Sequence, residues 1–325
     1  MSVSSSISKP LALHLIQGGA YIVFALVLFT FAVFAPHFLS LTNIANIFAQ
    51  TSILGILAFG LTVVVIAGGG NVIHGGIDLS VAATLGFTSA IYSTLINHGA
   101  GDAIAVVSAV GVGALAGSLN GLTIVLFRLP PLLATLAVMN LLAGLELVLT
   151  QNTVLPASSP LIDLLSGSDR FGIPLLGYLL LLIAAVLLLL IQYTPFGLRL
   201  YAIGEHREAA RAIGLPSSRY VFLSYVISGV CGGLSGICAS VFFSGSSTGS
   251  QEFLLPVIAI ALLGVVFSRR FVPTIGGTLL SGLFIGALIN GFQLLNISNF
   301  WVNGVQGALI LAIVAASTFL RSREV

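Results

Sequence analysis

The chain has 325 residues, of which 58% are apolar and only 6% charged, and its mean hydropathy is +1.16. A soluble domain carries about 25% charged residues, so a protein of this composition cannot cover a water-facing surface and must dissolve in lipid. Cytosolic enzymes, nucleic-acid binders and disordered proteins are excluded, and the net charge of +2 becomes informative only once the charges are placed along the chain.

A spanning helix needs about 20 apolar residues. In chain order, apolar runs occupy 11–35, 51–69, 79–97, 103–127, 131–150, 174–192, 220–243, 253–268, 275–294 and 300–320. We read them as about ten transmembrane helices of an all-α, polytopic bundle that fills residues 1–325 as one transmembrane domain. The first run is longer than a signal-peptide core and is read as a retained span.

Between the second and third runs lies Gly68 to Val81, GGGNVIHGGIDLSV. Glycine permits backbone conformations that other residues resist, and Asp78 and Ser80 are suited to cap the following helix. The segment reads either as a gate lining a pathway or as a tight turn with Asp78 as its cap. His74 beside Asp78 is a weak pointer to proton transfer, because no second intramembrane acid lies near it in sequence.

The fourth run carries Gly113, Gly117 and Gly121; the seventh carries Gly229 with Gly233 and Gly232 with Gly236; the ninth carries Gly282 and Gly286. Small residues four apart let helices approach closely in lipid, so these three helices are expected in the interior. The leucine-rich run 179–191 has no glycine seam and is expected to face lipid, as is the first helix. Cys231 and Cys238 stand about 10 Å apart along one helix, too far for a disulfide, and read as small buried apolar residues.

Polar residues within or at the edges of the spans are Asn140, Glu146, Gln151, Asn290, Gln293, Asn303 and Gln306. Glu146 is the one acid well inside a span. Amides and a carboxylate suit hydroxyl-bearing solutes, and they equally suit bonds between helices. Asn140, Glu146, Asn290 and Gln293 are the pathway candidates.

The longest polar loop is 193–219, YTPFGLRLYAIGEHREAARAIGLPSSR. Glu205 to Ile213 reads as a short helix, with Glu205 and Glu208 in its first turn, Gly214 as C-cap and Pro216 just beyond. It is either a docking helix for a soluble partner or a solvated surface loop.

With the N-terminus in the cytoplasm, ten of the 11 lysines and arginines fall on the inner side: Lys9, Arg128, Arg199, Arg207, Arg211, Arg219, Arg269, Arg270, Arg321 and Arg323. Arg170 alone falls outside. This is the positive-inside pattern, with both termini cytoplasmic. The one lysine, Lys9, is not preceded by glycine, so no Walker A loop exists and the chain is not itself an ATPase. No catalytic residue or metal site is assigned: the histidines are scattered, and Gly245 to Gly249 matches a serine-hydrolase elbow in letters but not in setting.

Gly75–Val81 (GGIDLSV) resembles the signature of permease subunits of bacterial ABC importers for ribose and related sugars. Phe196–Leu215 (FGLRLYAIGEHREAARAIGL) resembles that family's cytoplasmic loop, and Gly276–Ser298 resembles its C-terminal end. The matches run in order over most of the chain. The resemblance implies an ABC importer permease fold and function, with the solute moved by alternating access. It implies a signature or gate at Gly75, Gly76, Asp78 and Ser80. It implies a separate ABC ATPase, holding ATP and Mg, docked on the loop 193–219 through Glu205, Arg207, Glu208, Arg211 and Gly214. It also implies a second permease copy or sister permease, a periplasmic solute-binding protein, and the bacterial inner membrane as location. No cofactor is expected on this chain itself and no nucleic acid as partner. The alternative is an ion-coupled secondary transporter of small polar solutes, which would rest on Glu146 and Asp78.

Overall fold

A computed structural model describes residues 9–69, 76–169, 172–246, 249–268, 272–298, 301–308 and 310–311, with side chains from residue 21 onward. Gly75, His74, Arg170, Arg269, Arg270, Arg321 and Arg323 lie outside the described residues. The helices are α1 (Lys9–Phe34), α2 (Leu41–Gly68), α3 (Val81–Asn97), α4 (Asp102–Val125), α5 (Pro131–Thr150), α6 (Pro160–Ser166), α7 (Leu175–Gln192), α8 (Pro195–Glu205), α9 (Arg207–Ala212), α10 (Ser217–Phe243), α11 (Leu254–Val266) and α12 (Ile275–Leu294). A 3-10 turn, Ser250–Phe253, leads into α11, and a further helical stretch begins at Trp301. Among the described residues the fold is all-helical; strand-like pairing is confined to isolated bridges such as Pro156 with Gly245.

Six helices among the described residues are long and apolar enough to cross a membrane: α2, α4, α5, α7, α10 and α12. Of the other expected spans, α3 has 17 residues and α11 has 13, short of the usual spanning length.

The sequence reading placed the start of the second span ten residues too late. α2 begins at Leu41 because Ser40 caps it: the Ser40 hydroxyl accepts from Asn43 N at 3.2 Å. The polar residues Asn43 and Gln50 therefore belong to this helix and not to a linker.

The interior was also only partly foreseen. α2 is the most enclosed spanning helix, with 89% of its apolar window buried, against 28% for α4. A helix that is apolar on every side gains no stripe to mark its burial, and glycine spacing did not point to it. α10 packs on α2, α3 and α4. At the α4–α10 crossing, a Cβ on Gly113 would meet the Gly229 carbonyl oxygen, and a Cβ on Gly229 would meet that of Gly113. The two backbones touch there, which only glycine allows. The rest of α4 is half-buried or exposed, with Val107 and Leu115 facing out, so α4 is interior along one stripe only. The leucine-rich α7 is likewise two-sided. Leu180, Ala184, Leu187 and Ile191 are buried, and Leu180 packs near Gly55 of α2. Leu182, Val186 and Leu189 face outward.

α1 lies against α11 and α12 through Phe24, Phe31 and their aromatic neighbours Phe267, Phe284 and Phe292. Its outer face, with Ile22, Phe29 and Phe34, is exposed as expected.

The loop 193–219 contains two helices in place of the single one expected over 205–213. His206 takes φ −143° and ψ 85°, outside the helical region, and breaks the chain between α8 and α9. Glu205 thus ends α8, while Glu208 stands in the first turn of α9.

Candidate functional site

The two ends of the bundle carry different chemistry. At one end α8 is wedged against the starts and ends of spanning helices. Gly69, at φ +76°, closes α2, and a Cβ on it would strike the Gly204 carbonyl oxygen of α8. The Tyr201 hydroxyl donates to the Pro273 carbonyl at 2.6 Å, just before α12, and burial pushes its pKa up to about 12. Arg199 donates to the Tyr220 hydroxyl at 3.0 Å, and Phe196 lies on the Tyr220 ring.

α9 ends in a Schellman motif. Gly214, at φ +85°, donates its N–H to the Arg211 carbonyl, and Leu215 donates to the Ala210 carbonyl. Glycine is required because the left-handed conformation costs an L-residue about 1–2 kcal/mol. Arg211 Nε donates to the Ser217 hydroxyl at 2.9 Å, tying α9 to α10. Apart from Ala210, α9 is open: Glu205, Arg207, Glu208, Arg211 and Gly214 are all exposed, and Ile213 is 77% exposed. The residues expected to dock a partner are therefore each accessible, on a segment tied to α10 through Arg211. Arg128, Arg207 and Arg211 line a recess of about 700 Å³ beside it.

Next to this end, Asp78 forms the centre of a buried knot. Its Oδ1 accepts from Ser80 N at 3.0 Å, from Ser80 Oγ at 2.6 Å and from Asn120 Nδ2 at 3.3 Å. Its Oδ2 accepts from Ser228 Oγ at 2.8 Å. Asn120 also donates to Ser80 Oγ at 2.7 Å. The preceding Ile77 carbonyl accepts from Thr135 and Tyr225, each at 3.5 Å. The short turn at Gly76–Ser80 thus fastens α4, α5 and α10 together. Burial pushes the Asp78 carboxyl up from its ordinary range, while the donors from Ser80 and Ser228 pull it back. Ser80 precedes α3 but makes no side-chain cap bond; its hydroxyl goes to Asp78. The cap expected from Ser80 is absent because its backbone is helical (φ −78°, ψ −8°) and not extended as a cap requires, and its hydroxyl oxygen accepts from Asn120 instead.

The pathway candidates are not gathered in one place. Asn140 is exposed on this chain and donates to the Leu136 carbonyl of its own helix at 2.8 Å. Glu146 is buried and accepts from Ser250 Oγ at 3.0 Å, joining α5 to the 3-10 turn. Asn290 accepts from Asn43 Nδ2 at 2.8 Å. Gln293 accepts from Gln50 Nε2 at 3.3 Å.

Gln293 alone of these four lines a cleft, of about 200 Å³, at the other end of the bundle. Gln50, Glu252, Asn303 and Gln306 supply its other polar groups, and Phe242, Phe243 and Phe253 its aromatic wall. Gln50 comes from the first half of α2, Phe242 and Phe243 from the last turn of α10, Gln293 from that of α12, Glu252 and Phe253 from the 3-10 turn, and Asn303 and Gln306 from the stretch that begins at Trp301. α8 meets the opposite ends of the same helices. From Ser217 to Phe242 α10 rises about 38 Å, so the cleft and the α8–α9 surface lie on opposite sides of the bundle. Asn303 and Gln306 were visible as polar residues in the last apolar run. Gln50 was not, because it stood in an assumed linker.

The family model described as "Branched-chain amino acid transport system / permease component" matches residues 43–314. Similar proteins include the ribose import permease protein of Bacillus subtilis (strain 168), 34% identical over 86% of this chain and 85% of that one. The ribose import permease protein of Escherichia coli (strain K12) is 28% identical over 86% of this chain and 87% of its own. The L-arabinose ABC transporter permease protein of Azospirillum brasilense is 28% identical over 95% of this chain and 89% of its own. Among solved structures, an ABC transporter of metal-chelate type in an inward-facing conformation superposes with a TM-score of 0.51. It is 17% identical and covers 92% of this chain and 99% of that one. At that identity the likeness supports the fold alone.

Proposed function

Because the chain belongs to the branched-chain amino acid transport system permease family and is a permease subunit of the sugar-type ABC importers, we propose that it carries a monosaccharide inward across the bacterial inner membrane by alternating access. The solute arrives on a periplasmic binding protein, and a separate ATPase supplies the energy. The family description mentions branched-chain amino acids, but the relatives that match over most of both chains are named for ribose and arabinose. A sugar is therefore the favoured solute.

The observation that carries this reading is the α8–α9 surface. It is polar, exposed, and braced by Arg199, Tyr201 and Arg211 against α10 and the approach to α12. A partner that pushed on α9 would move the ends of α2, α10 and α12 together, because α8 packs tightly on the end of α2 and is bonded to Tyr220 of α10 and to Pro273 just before α12. In this reading α9 takes the ATPase, and Glu205, Arg207, Glu208, Arg211 and Gly214 form the contact. ATP and Mg stay on that partner. The turn at Gly76, Asp78 and Ser80 joins the docking end to α4, α5 and α10, and with Gly75, which precedes it in the sequence, works as the inner gate's anchor. The inner face is the α8–α9 face, following the basic residues, which gives about ten crossings with both termini inside. A second copy or a sister permease completes the pathway.

Co-purification with the partner ATPase tests this. The native chain is expected to form a stable complex, and Glu205→Arg combined with Arg211→Glu is expected to lose it while leaving the permease folded. Retention of the complex and of ATPase coupling in that double variant would show that α9 is not the docking surface.

A further inference from the structure

In the cleft at the outer end, Gln306 is completely buried, yet neither its Nε2 nor its Oε1 has a hydrogen-bond partner among the described residues. The Oε1 of Gln50 is buried and unpartnered as well, although its Nε2 reaches Gln293. A buried amide left without partners costs about 1–3 kcal/mol per group. Native proteins rarely keep such groups together without a water or ligand to satisfy them. Here three unsatisfied amide atoms belong to two side chains that line the same cleft.

The unsatisfied atoms are of both kinds. Gln306 offers two donor hydrogens and an acceptor oxygen, and Gln50 an acceptor oxygen. A hydroxyl group is donor and acceptor at once, so it can serve both kinds. The facing wall is Phe242, Phe243 and Phe253, which suits the C–H face of a sugar ring. Glu252 at the rim accepts hydroxyl hydrogens and repels anions. With about 200 Å³ the cleft lies at or below the small end of ligand sites, enough for one monosaccharide and not for a chain of them.

We propose that the cleft lined by Gln50, Gln293 and Gln306 is a binding site for an uncharged polyhydroxyl solute of monosaccharide size, built within a single permease chain at its outer end. This rests on the importer reading and deepens it: part of the solute selectivity then resides in the permease itself. The three glutamines act as positioning hydrogen-bond partners, and the phenylalanines exclude water.

The test uses the intact permease–ATPase complex and an Asn303→Cys reporter at the exposed edge of the cleft. Both native cysteines are buried, so the reporter is read against a quiet background. The rate of modification by a water-soluble maleimide is measured with D-ribose, with L-arabinose and in buffer without sugar. One of the sugars is expected to slow modification several-fold. Adding Gln306→Leu is expected to raise the half-protecting concentration roughly tenfold, the equivalent of one to two hydrogen bonds. Should Gln306→Leu fail to fold, the protection measured with Gln306 intact still decides, and Gln50→Ala provides the second variant.

Modification unaffected by either sugar, in a complex that imports that sugar with its binding protein, would overturn the site and leave the importer standing. Protection that Gln306→Leu and Gln50→Ala do not shift would overturn it equally. Protection without ATP-driven import would support the site and count against the importer reading. Neither import nor protection would overturn both.

Discussion

Asp78 is the residue whose replacement separates a structural knot from an incidental turn. Its carboxylate receives four hydrogen bonds from Ser80, Asn120 and Ser228, within 2.6–3.3 Å, and is 1% exposed. In Asp78→Ala the Ser80 N–H and the Ser228 hydroxyl lose their acceptor inside a dry cluster, and Asn120 keeps only Ser80. Two or three orphaned groups at about 1–3 kcal/mol each give a loss of roughly 3–6 kcal/mol. Asp78→Asn is milder. Its carbonyl can stay on the side of Ser80 and Asn120, and its amide can donate to Ser228, whose hydroxyl turns to accept. The loss is then mainly charge assistance, about 1 kcal/mol. Ser228→Ala removes a single donor to the carboxylate and falls between the two. At about 2 °C per kcal/mol, Asp78→Ala is expected to lower the temperature of half-aggregation in detergent by roughly 5–10 °C and Asp78→Asn by about 2 °C. Equal melting of Asp78→Ala and the native chain would refute the knot. Equal, large losses in Asp78→Ala and Asp78→Asn would refute the division of labour between its two oxygens.

Gly229→Leu is expected to abolish the folded permease, since a side chain there meets the α4 backbone, while Gly111→Leu on α4 has nothing within 4 Å and is expected to be neutral; size-exclusion chromatography in detergent checks both. Gly214→Val places a β-branched residue at φ +85° and is expected to weaken ATPase binding at least several-fold by distorting the end of α9, at a cost of about 1–2 kcal/mol, with little change in melting. Titration of the partner ATPase onto immobilised permease measures it. Tyr201→Phe removes the bond to the Pro273 carbonyl. With the Pro273 carbonyl left half-buried and unbonded by Tyr201, the variant is expected to lower coupling of ATP hydrolysis to uptake while retaining the complex, read as the ratio of sugar imported to ATP consumed.

Much of this architecture is legible in the sequence because lipid imposes blunt rules. Apolar runs become helices, and α4, α5, α7, α10 and α12 lie within a few residues of their expected bounds. The glycine pairs at 113 and 229 marked a true helix crossing. What stayed hidden has specific causes. The start of α2 was obscured by its polar first turns, and Ser40 was not recognised as their cap. α2's central place left no periodic trace, since every face is apolar. His206 breaks the α8–α9 loop by its backbone conformation, although histidine is not a helix breaker by type. At the candidate sites, a polar residue within a span signalled importance but not direction: Asn140 turns onto its own helix, whereas Gln306 turns into the cleft. Asn43, Asn120 and Ser228 gain their roles only through partners far away in sequence, at separations of 247, 42 and 150 residues. No local pattern could have shown those partners.

Uptake of radiolabelled D-ribose and L-arabinose into proteoliposomes holding the permease, its ATPase and its binding protein tests the central claim most directly. Uptake is expected to require all three proteins and ATP, to cease when ATP is withheld, and to persist when an uncoupler removes the ion gradients. Uptake by the permease alone that survives without ATP and collapses with the uncoupler would contradict the account, and would identify an ion-driven carrier instead.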